Sequence, residues 1–166
     1  MIHTEVEILY VEDDSADAEL TMAAMRRSKM VNTVHVAHDG VEALDFLFCR
    51  GAYQEKQFVN PKFVLLDLKL PKIGGLEVLR AIRSDPRTEL IPVVVLTSSK
   101  EQRDIVESYK LRVNSYVQKP VDFDKFQHIV QQLGFYWLIV NQSAAPATFA
   151  PGAAASSASA GGVDSK

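Results

Sequence analysis

The chain has very little of three things that would place it in a common protein class: cysteine, excess positive charge and long apolar runs. Among 166 residues Cys49 is the only cysteine, which excludes an internal disulfide and fits a reducing compartment. A net charge of −3 gives no basic field for holding a nucleic-acid backbone. The longest strongly apolar run, GFYWLIV, is too short to cross a bilayer, and no signal-peptide pattern opens the chain. We therefore expect a cytoplasmic protein that binds neither nucleic acid nor membrane.

The end of the chain differs in composition from the rest. Residues 143–166 are mostly Ala, Ser, Gly and Pro, with too few large apolar side chains to offset the entropy cost of ordering a segment. The remaining residues are long enough to bury one core but too few for two ordinary domains. We predict a single domain over residues 1–142 and a disordered tail over residues 143–166.

Short runs rich in β-branched residues alternate with helical patterns before this tail. The predicted strands cover residues 6–12, 33–37, 62–67, 91–97 and 114–118. Several of them are apolar at consecutive positions, which is typical of parallel strands covered on both faces. Five helical segments follow the strands, and the last one, residues 122–140, carries an apolar stripe. The alternation predicts an α/β fold, a doubly wound five-stranded parallel sheet with helices on both faces.

Polar residues stand where the predicted strands end. Glu12 and Asp13 close the first strand, Asp67 the third and Thr97 the fourth, and Lys119 follows the fifth. In doubly wound folds the carboxyl ends of the strands meet at one edge, and ligands bind there. We therefore expect these side chains to form one site.

Three carboxylates at one edge repel each other unless a cation lies among them. Mg²⁺ suits such a site, with Asp13 and Asp67 as direct ligands and Glu12 holding a bound water. With a lysine and a threonine opposite, the site has what phosphoryl transfer onto Asp67 needs. Asp67 is the nucleophile, Lys119 pairs with a phosphoryl oxygen and the Thr97 hydroxyl donates to another.

These residues resemble the receiver domains of two-component response regulators. Thr97 follows Asp67 by 30 positions, and Lys119 follows Tyr116 by three, as in that family. The resemblance covers roughly residues 6 to 140 and implies a flavodoxin-like fold with strand order 2-1-3-4-5. The matching segments are the acidic pair Glu12 and Asp13, LLDLKLPKIGG around Asp67, VVVLTSS around Thr97, and SYVQKP with Tyr116, Lys119 and Pro120.

The resemblance implies a role for each matching position. Asp67 is the phosphoacceptor, Asp13 a Mg²⁺ ligand with Glu12 as its water-mediated partner, and the backbone carbonyl of Lys69 a third ligand. Such a protein is a signalling phosphoacceptor that assists its own phosphoryl transfer and dephosphorylation, not an enzyme acting on a separate substrate.

Three further positions follow from the same resemblance. Thr97 and Tyr116 are expected to form a switch pair, in which the hydroxyl moves to the phosphoryl group and the aromatic ring turns inward. The peptide bond between Lys119 and Pro120 is expected to be cis, since X-Pro is where a cis bond costs least.

The partner implied by the family is a sensor histidine kinase. The long segment FLFCRGAYQEKQFVNPK and the later GFYWL resemble stand-alone regulators that serve phytochrome-type kinases. No effector motif follows Val140, so output is expected through protein contact, dimerisation or phosphate relay. A homodimer, if it forms, is expected through the fourth helix, fifth strand and fifth helix, and Phe135, Tyr136 and Trp137 are interpreted as a dimer or kinase-docking surface. The alternative for these aromatics is packing of a longer final helix on its own domain.

Two other function classes use similar residues. A phosphatase of the haloacid-dehalogenase type needs a second aspartate two positions after the nucleophile, where this chain has Lys69. An interaction module that is never phosphorylated would be expected to lack a site residue, and none is missing. Asp14 and Asp17 are interpreted as first-turn carboxylates that favour the helix dipole, rather than as ligands.

Overall fold

A computed structural model describes residues 6–27 and 34–144. Of the tail predicted over residues 143–166, residues 145–166 lie outside the described residues. Thr33 of the second predicted strand also lies outside them. The strands are β1 (Ile8–Val11), β2 (Val34–Ala37), β3 (Phe63–Leu66), β4 (Val93–Thr97) and β5 (Ser115–Gln118). The helices are α1 (Ser15–Arg27), α2 (Gly40–Phe48), α3 (Gly75–Ser84), α4 (Gln102–Lys110) and α5 (Phe123–Phe135). A short 3₁₀ turn, Gly51–Tyr53, follows α2, and a π-helical turn, Tyr136–Val140, follows α5.

The five strands form one parallel sheet in the order β2-β1-β3-β4-β5. This confirms the predicted fold class and strand order. The register aligns the strand ends, because Val11 of β1 pairs with Leu66 of β3. The residues that follow these two, Glu12 and Asp67, therefore leave the sheet side by side.

Two apolar clusters cover the two faces of the sheet. One contains β-strand residues with α2 and α3, including Phe46, Leu79 and Ile82. The other joins the opposite side chains of the strands to α1 and α5, including Met25 and Val130. Because strand side chains alternate between faces, both clusters draw on the same buried strands. None of the helices in the described part of the chain is both long and apolar enough to pass through a membrane.

The last helix is the element whose prediction needs the most adjustment. The regular α-helical pattern ends at Phe135, and the chain continues as the π-helical turn. Within this turn Trp137 is buried in the cluster shared with α1. Phe135 and Tyr136 instead remain about half exposed, at 55% and 49%. Of the three aromatics expected at an interface, Trp137 instead packs on its own domain, as the alternative interpretation expects, because it continues the apolar stripe of α5 into the core.

Candidate functional site

Asp67 lies at the carboxyl end of β3 with 5% of its surface exposed. Its Oδ1 accepts hydrogen bonds from the Thr97 hydroxyl at 2.9 Å and from the Lys69 N–H at 3.2 Å. Its Oδ2 accepts from the Lys119 ammonium at 2.9 Å. Burial opposes ionisation of this carboxyl, but Lys119, Thr97 and the Lys69 N–H together hold its pKa below the usual aspartate value. Asp67 is therefore an ionised, oriented carboxylate.

Lys119 is bonded to three carboxylates. Its Nζ lies 2.5 Å from Glu12 Oε2, 2.8 Å from Asp17 Oδ2 and 2.9 Å from Asp67 Oδ2, and its side chain is 8% exposed. Burial favours the neutral amine, but the three carboxylates outweigh it and raise the pKa of Lys119. The ammonium is thus held charged at the centre of the site.

Glu12 is more deeply buried than Asp67, at 1% exposure. Its Oε2 accepts from the Tyr10 hydroxyl at 3.2 Å as well as from Lys119, and its Oε1 accepts from the Asp14 N–H at 3.2 Å. Burial raises the pKa of Glu12 to about 7, with Lys119 opposing the rise and the charge of Asp67 adding to it. Burial and the nearby Glu12 charge also raise the pKa of Tyr10, which leaves its hydroxyl as a neutral donor.

The three predicted carboxylates meet at one place. Glu12, Asp13 and Asp67 each present one oxygen, and these oxygens lie within 4.8 Å of one another. Asp13 is exposed, so the cluster opens to solvent on one side. Hard oxygen donors with an open side match the needs of a divalent cation that retains several waters. The residues present therefore fit a divalent metal site.

Thr97 and Tyr116 are connected through one residue, Ser99. The Ser99 N–H donates to Thr97 Oγ1 at 3.3 Å, and the Ser99 carbonyl accepts from the Tyr116 hydroxyl at 3.1 Å. Ser99 itself is buried and its hydroxyl donates to Asp104 Oδ2 in α4 at 2.5 Å. The half-buried Tyr116 ring packs against the core cluster that contains α2 and α3. A path of contacts thus runs from Asp67 to the face formed by α4 and β5.

The loop after Asp67 is held close to the start of α3. The Gly75 N–H donates to the Leu68 carbonyl at 2.9 Å. A Cβ at Gly75 would lie 2.3 Å from the Asp67 carbonyl oxygen and 2.5 Å from Leu68 Cα. At Gly74 the nearest atom would be 4.0 Å away. Only the second glycine of the pair is therefore required by the approach of α3 to the acceptor loop.

The peptide bond between Lys119 and Pro120 is trans, because no cis peptide bond occurs in the described residues. The prediction of a cis bond here is wrong. Trans is the lower-energy form for X-Pro bonds. From this trans bond Lys119 still reaches all three of its carboxylate partners.

Sequence reasoning missed two contributors to the site. Asp17 was assigned to the helix dipole, yet it is a direct partner of Lys119. Tyr10 read as one apolar member of a buried strand, yet its hydroxyl bonds both Glu12 and Thr21. Asp17 could have been found from its position in the first turn of α1, shortly after the acidic pair. The tyrosine at position 10, inside an apolar run, gave little indication of its role.

Comparisons with known proteins agree with this geometry. A family model described as the response regulator receiver domain matches residues 8–131. The probable methanogenesis regulatory protein FilR2 of Methanothrix harundinacea is 41% identical over 140 residues, which are 84% of this chain and 88% of the relative.

Two solved structures are similar over nearly their whole length. The Mn²⁺-bound form of response regulator Rcp1 has a TM-score of 0.77 and 37% identity, covering 83% of this chain and 98% of that chain. The phosphorylated cyanobacterial phytochrome response regulator RcpA has a TM-score of 0.78 and 38% identity, covering 83% and 97%.

Proposed function

The chain belongs to the response regulator receiver domain family, and we propose that it is a response regulator that accepts a phosphoryl group on Asp67. The observation that carries the proposal is the set of contacts on this carboxylate. Asp67 is ionised, is held by Lys119 and Thr97, and lies beside two further carboxylates that open to solvent. The donor would be the phosphorylated imidazole of a sensor histidine kinase.

The transfer is a displacement at phosphorus. A carboxylate oxygen of Asp67 attacks the phosphorus atom, the new P–O bond forms, and the P–N bond to the donor imidazole breaks with its electron pair remaining on nitrogen. Lys119 and Thr97 already donate to Asp67, so both lie within reach of the oxygens of a group attached there. Their role is to compensate the negative charge of the transferred group.

The metal we propose for this site is Mg²⁺. Asp13 and Asp67 would be its direct carboxylate ligands, Glu12 would hold one of its waters, and the Lys69 carbonyl would supply a further oxygen. When bound, Mg²⁺ supplies positive charge that offsets repulsion between the carboxylates and the incoming phosphoryl group. The Mn²⁺ in the similar Rcp1 structure supports a divalent cation of this kind.

The kinase we propose is of the phytochrome type, and the protein would act in the cytoplasm. The similar structure of RcpA is that of a phytochrome response regulator, which supports the kinase assignment. The similar protein FilR2 is named as a probable methanogenesis regulator, so similarity to this chain does not by itself identify the signal. Identifying the signal therefore requires identifying the kinase.

Phosphorylation would change a protein-binding surface through Thr97 and Tyr116. The Ser99 backbone bonds both side chains, so a shift of Thr97 toward a phosphoryl group would alter the support of Tyr116 on β5. Phe135 and Tyr136 are large apolar side chains that stay exposed at the end of α5, and they are proposed to contact a second copy.

The direct test is the intact mass of the protein after incubation with Mg²⁺ and acetyl phosphate. We expect a gain of one phosphoryl group that is labile in base, absent in Asp67→Asn and absent in chelator. The Asp85→Asn variant is a matched control, because it changes an aspartate outside the proposed site whose side chain pairs with Arg87. A gain that persists in Asp67→Asn would contradict the assignment of the acceptor.

The proposed dimer is tested by light scattering with and without Mg²⁺ and beryllium fluoride, a phosphoryl mimic. We expect the mass to change, and the change to be lost in the double variant Phe135→Ser, Tyr136→Ser. An unchanged mass in the wild type would contradict dimerisation as the output.

A further inference from the structure

Lys119 has three N–H donors, and the structure places each near a different carboxylate. Glu12 and Asp67 belong to the predicted metal and acceptor set, but Asp17 does not. Asp17 Oδ2 lies 2.8 Å from Lys119 Nζ, with the Asp17 side chain 38% exposed. Asp17 is therefore the most exposed of the three carboxylates that contact the ammonium.

The position of Asp17 is fixed by the start of α1. Its own N–H donates to Asp14 Oδ1 at 2.9 Å, and the Asp14 carbonyl accepts from the Ala18 N–H at 2.9 Å. These bonds cap the helix and hold Asp17 in the first turn. The contact with Lys119 thus joins the first helix to the end of the fifth strand.

A phosphoryl group on Asp67 needs Lys119 as well. Because all three N–H donors already lie on carboxylates, a phosphoryl oxygen must share the ammonium with them. Asp17 also adds a negative charge near a group that is itself negative. Both effects act in the same direction, against the phosphorylated form.

We propose that Asp17 is a positioning residue that competes with the phosphoryl group for Lys119 and so limits how strongly the site holds a phosphoryl group. The inference rests on the proposed function, since it concerns the same lysine and the same acceptor. It adds a fourth carboxylate that sets the strength of the phosphorylated state without touching the metal cluster.

The test is the affinity for beryllium fluoride at saturating Mg²⁺, measured by ¹⁹F NMR on the full chain. We expect Asp17→Asn to bind it about three- to tenfold more tightly than the wild type, because a neighbouring charge is lost and Lys119 is freed. The gain should shrink as salt is raised, since the pair is partly exposed. A purely structural role of Asp17 would give no such gain and no salt dependence.

Two matched variants separate this effect from general charge. Glu19→Gln removes one negative charge from the same helix at an exposed position and should stay within about twofold of the wild type. Asp17→Glu keeps the charge and should also stay near the wild type. An equal gain in Glu19→Gln or in Asp17→Glu, or an unchanged or weaker affinity in Asp17→Asn, would overturn the proposal.

The outcomes also distinguish the inference from the proposed function. If the wild type binds beryllium fluoride and Asp67→Asn does not, the proposed function stands whatever Asp17→Asn shows. If neither the wild type nor any variant binds beryllium fluoride at saturating Mg²⁺, the proposed function fails and the role of Asp17 fails with it.

Discussion

Lys119 and Arg83 are both largely removed from solvent, yet they are bonded to opposite kinds of partner. Lys119 stands at the carboxyl ends of the strands among three carboxylates. Arg83 lies toward the amino ends, and its guanidinium donates to neutral oxygens: the carbonyls of Glu89, Ile91 and Arg112 and the side-chain oxygen of Asn114. One cation holds charges together, and the other holds backbone segments together.

The difference indicates which end of the sheet can respond to a ligand. Around Arg83 every acceptor belongs to a fixed segment, and Asn114 further ties β4 by accepting from the Val93 N–H at 2.8 Å. Around Lys119 the negative charges exceed the positive charge, so a further cation is favoured there. The contacts at the amino ends of the strands therefore stabilise the fold, whereas the carboxyl ends carry an excess of negative charge that a bound cation would offset.

The largest expected effect comes from removing each cation in turn. Arg83→Met leaves several buried oxygens without donors and should lower the free energy of unfolding by about 3 to 5 kcal/mol, with or without Mg²⁺. Lys119→Met leaves buried carboxylates unpaired and should lose about 3 kcal/mol in chelator, most of which saturating Mg²⁺ should restore. Urea unfolding of both variants in each condition measures this. If Mg²⁺ restored both variants equally, the contrast between the two ends would be wrong.

A smaller effect is expected from the backbone around the acceptor. Gly75→Ala would force a Cβ against the Asp67 carbonyl and should cost about 2 to 3 kcal/mol. It should also slow phosphorylation by acetyl phosphate, because the acceptor loop must shift. Gly74→Ala, with open space around the new Cβ, serves as the control and should behave as the wild type in both assays. Equal losses in the two variants would show that the close approach of α3 is unimportant.

The smallest expected effect concerns pH. The pKa of Glu12 is raised to about 7, so between about pH 4.5 and 7 the native state binds more protons than the unfolded state. Its contribution to stability is therefore full below this window and is lost as pH rises through it. In chelator the free energy of unfolding of the wild type should therefore fall across the window relative to that of Glu12→Gln.

Chemical denaturation at several pH values, with both proteins in the same buffers, measures this difference. Groups common to both proteins contribute equally to the two curves and cancel in the difference. Parallel curves for the wild type and Glu12→Gln would contradict the raised pKa. The stability of Arg83→Met should depend on pH in this window as that of the wild type does, because Arg83 lies at the opposite end of the sheet from Glu12.

Much of the fold followed from local pattern, and much of the site from a rule about sheet edges. The central strands β1, β3 and β4 were predictable because parallel strands buried on both faces read as continuous apolar runs. Asp67, Thr97 and Lys119 were predictable because each directly follows or closes such a run. Their meeting at one edge, confirmed by the structure, needed only the alignment of strand ends.

What remained hidden depends on contacts between segments far apart in the chain. Arg83 resembles any basic residue in the last turn of a helix, and only the packed structure shows its bonds to the segments before β4 and β5. Asp17 and Lys119 are more than 100 residues apart. The apolar stripe already pointed to burial of Trp137, and only the packed structure decides between this burial and the interface suggested by its neighbours Phe135 and Tyr136.

The contacts of Ser99 bear on how fast the surface of β5 can respond to a change at Asp67. A single residue, bonded to Thr97 on one side and to Tyr116 on the other, separates the chemistry from the surface of β5. Side-chain rotamer changes and small loop movements take nanoseconds to microseconds, and no helix or strand has to unfold for this residue to move. If Asp67 is the acceptor, as proposed, the surface should therefore respond as fast as the acceptor changes, and the rates of phosphorylation and dephosphorylation should set the duration of the signal.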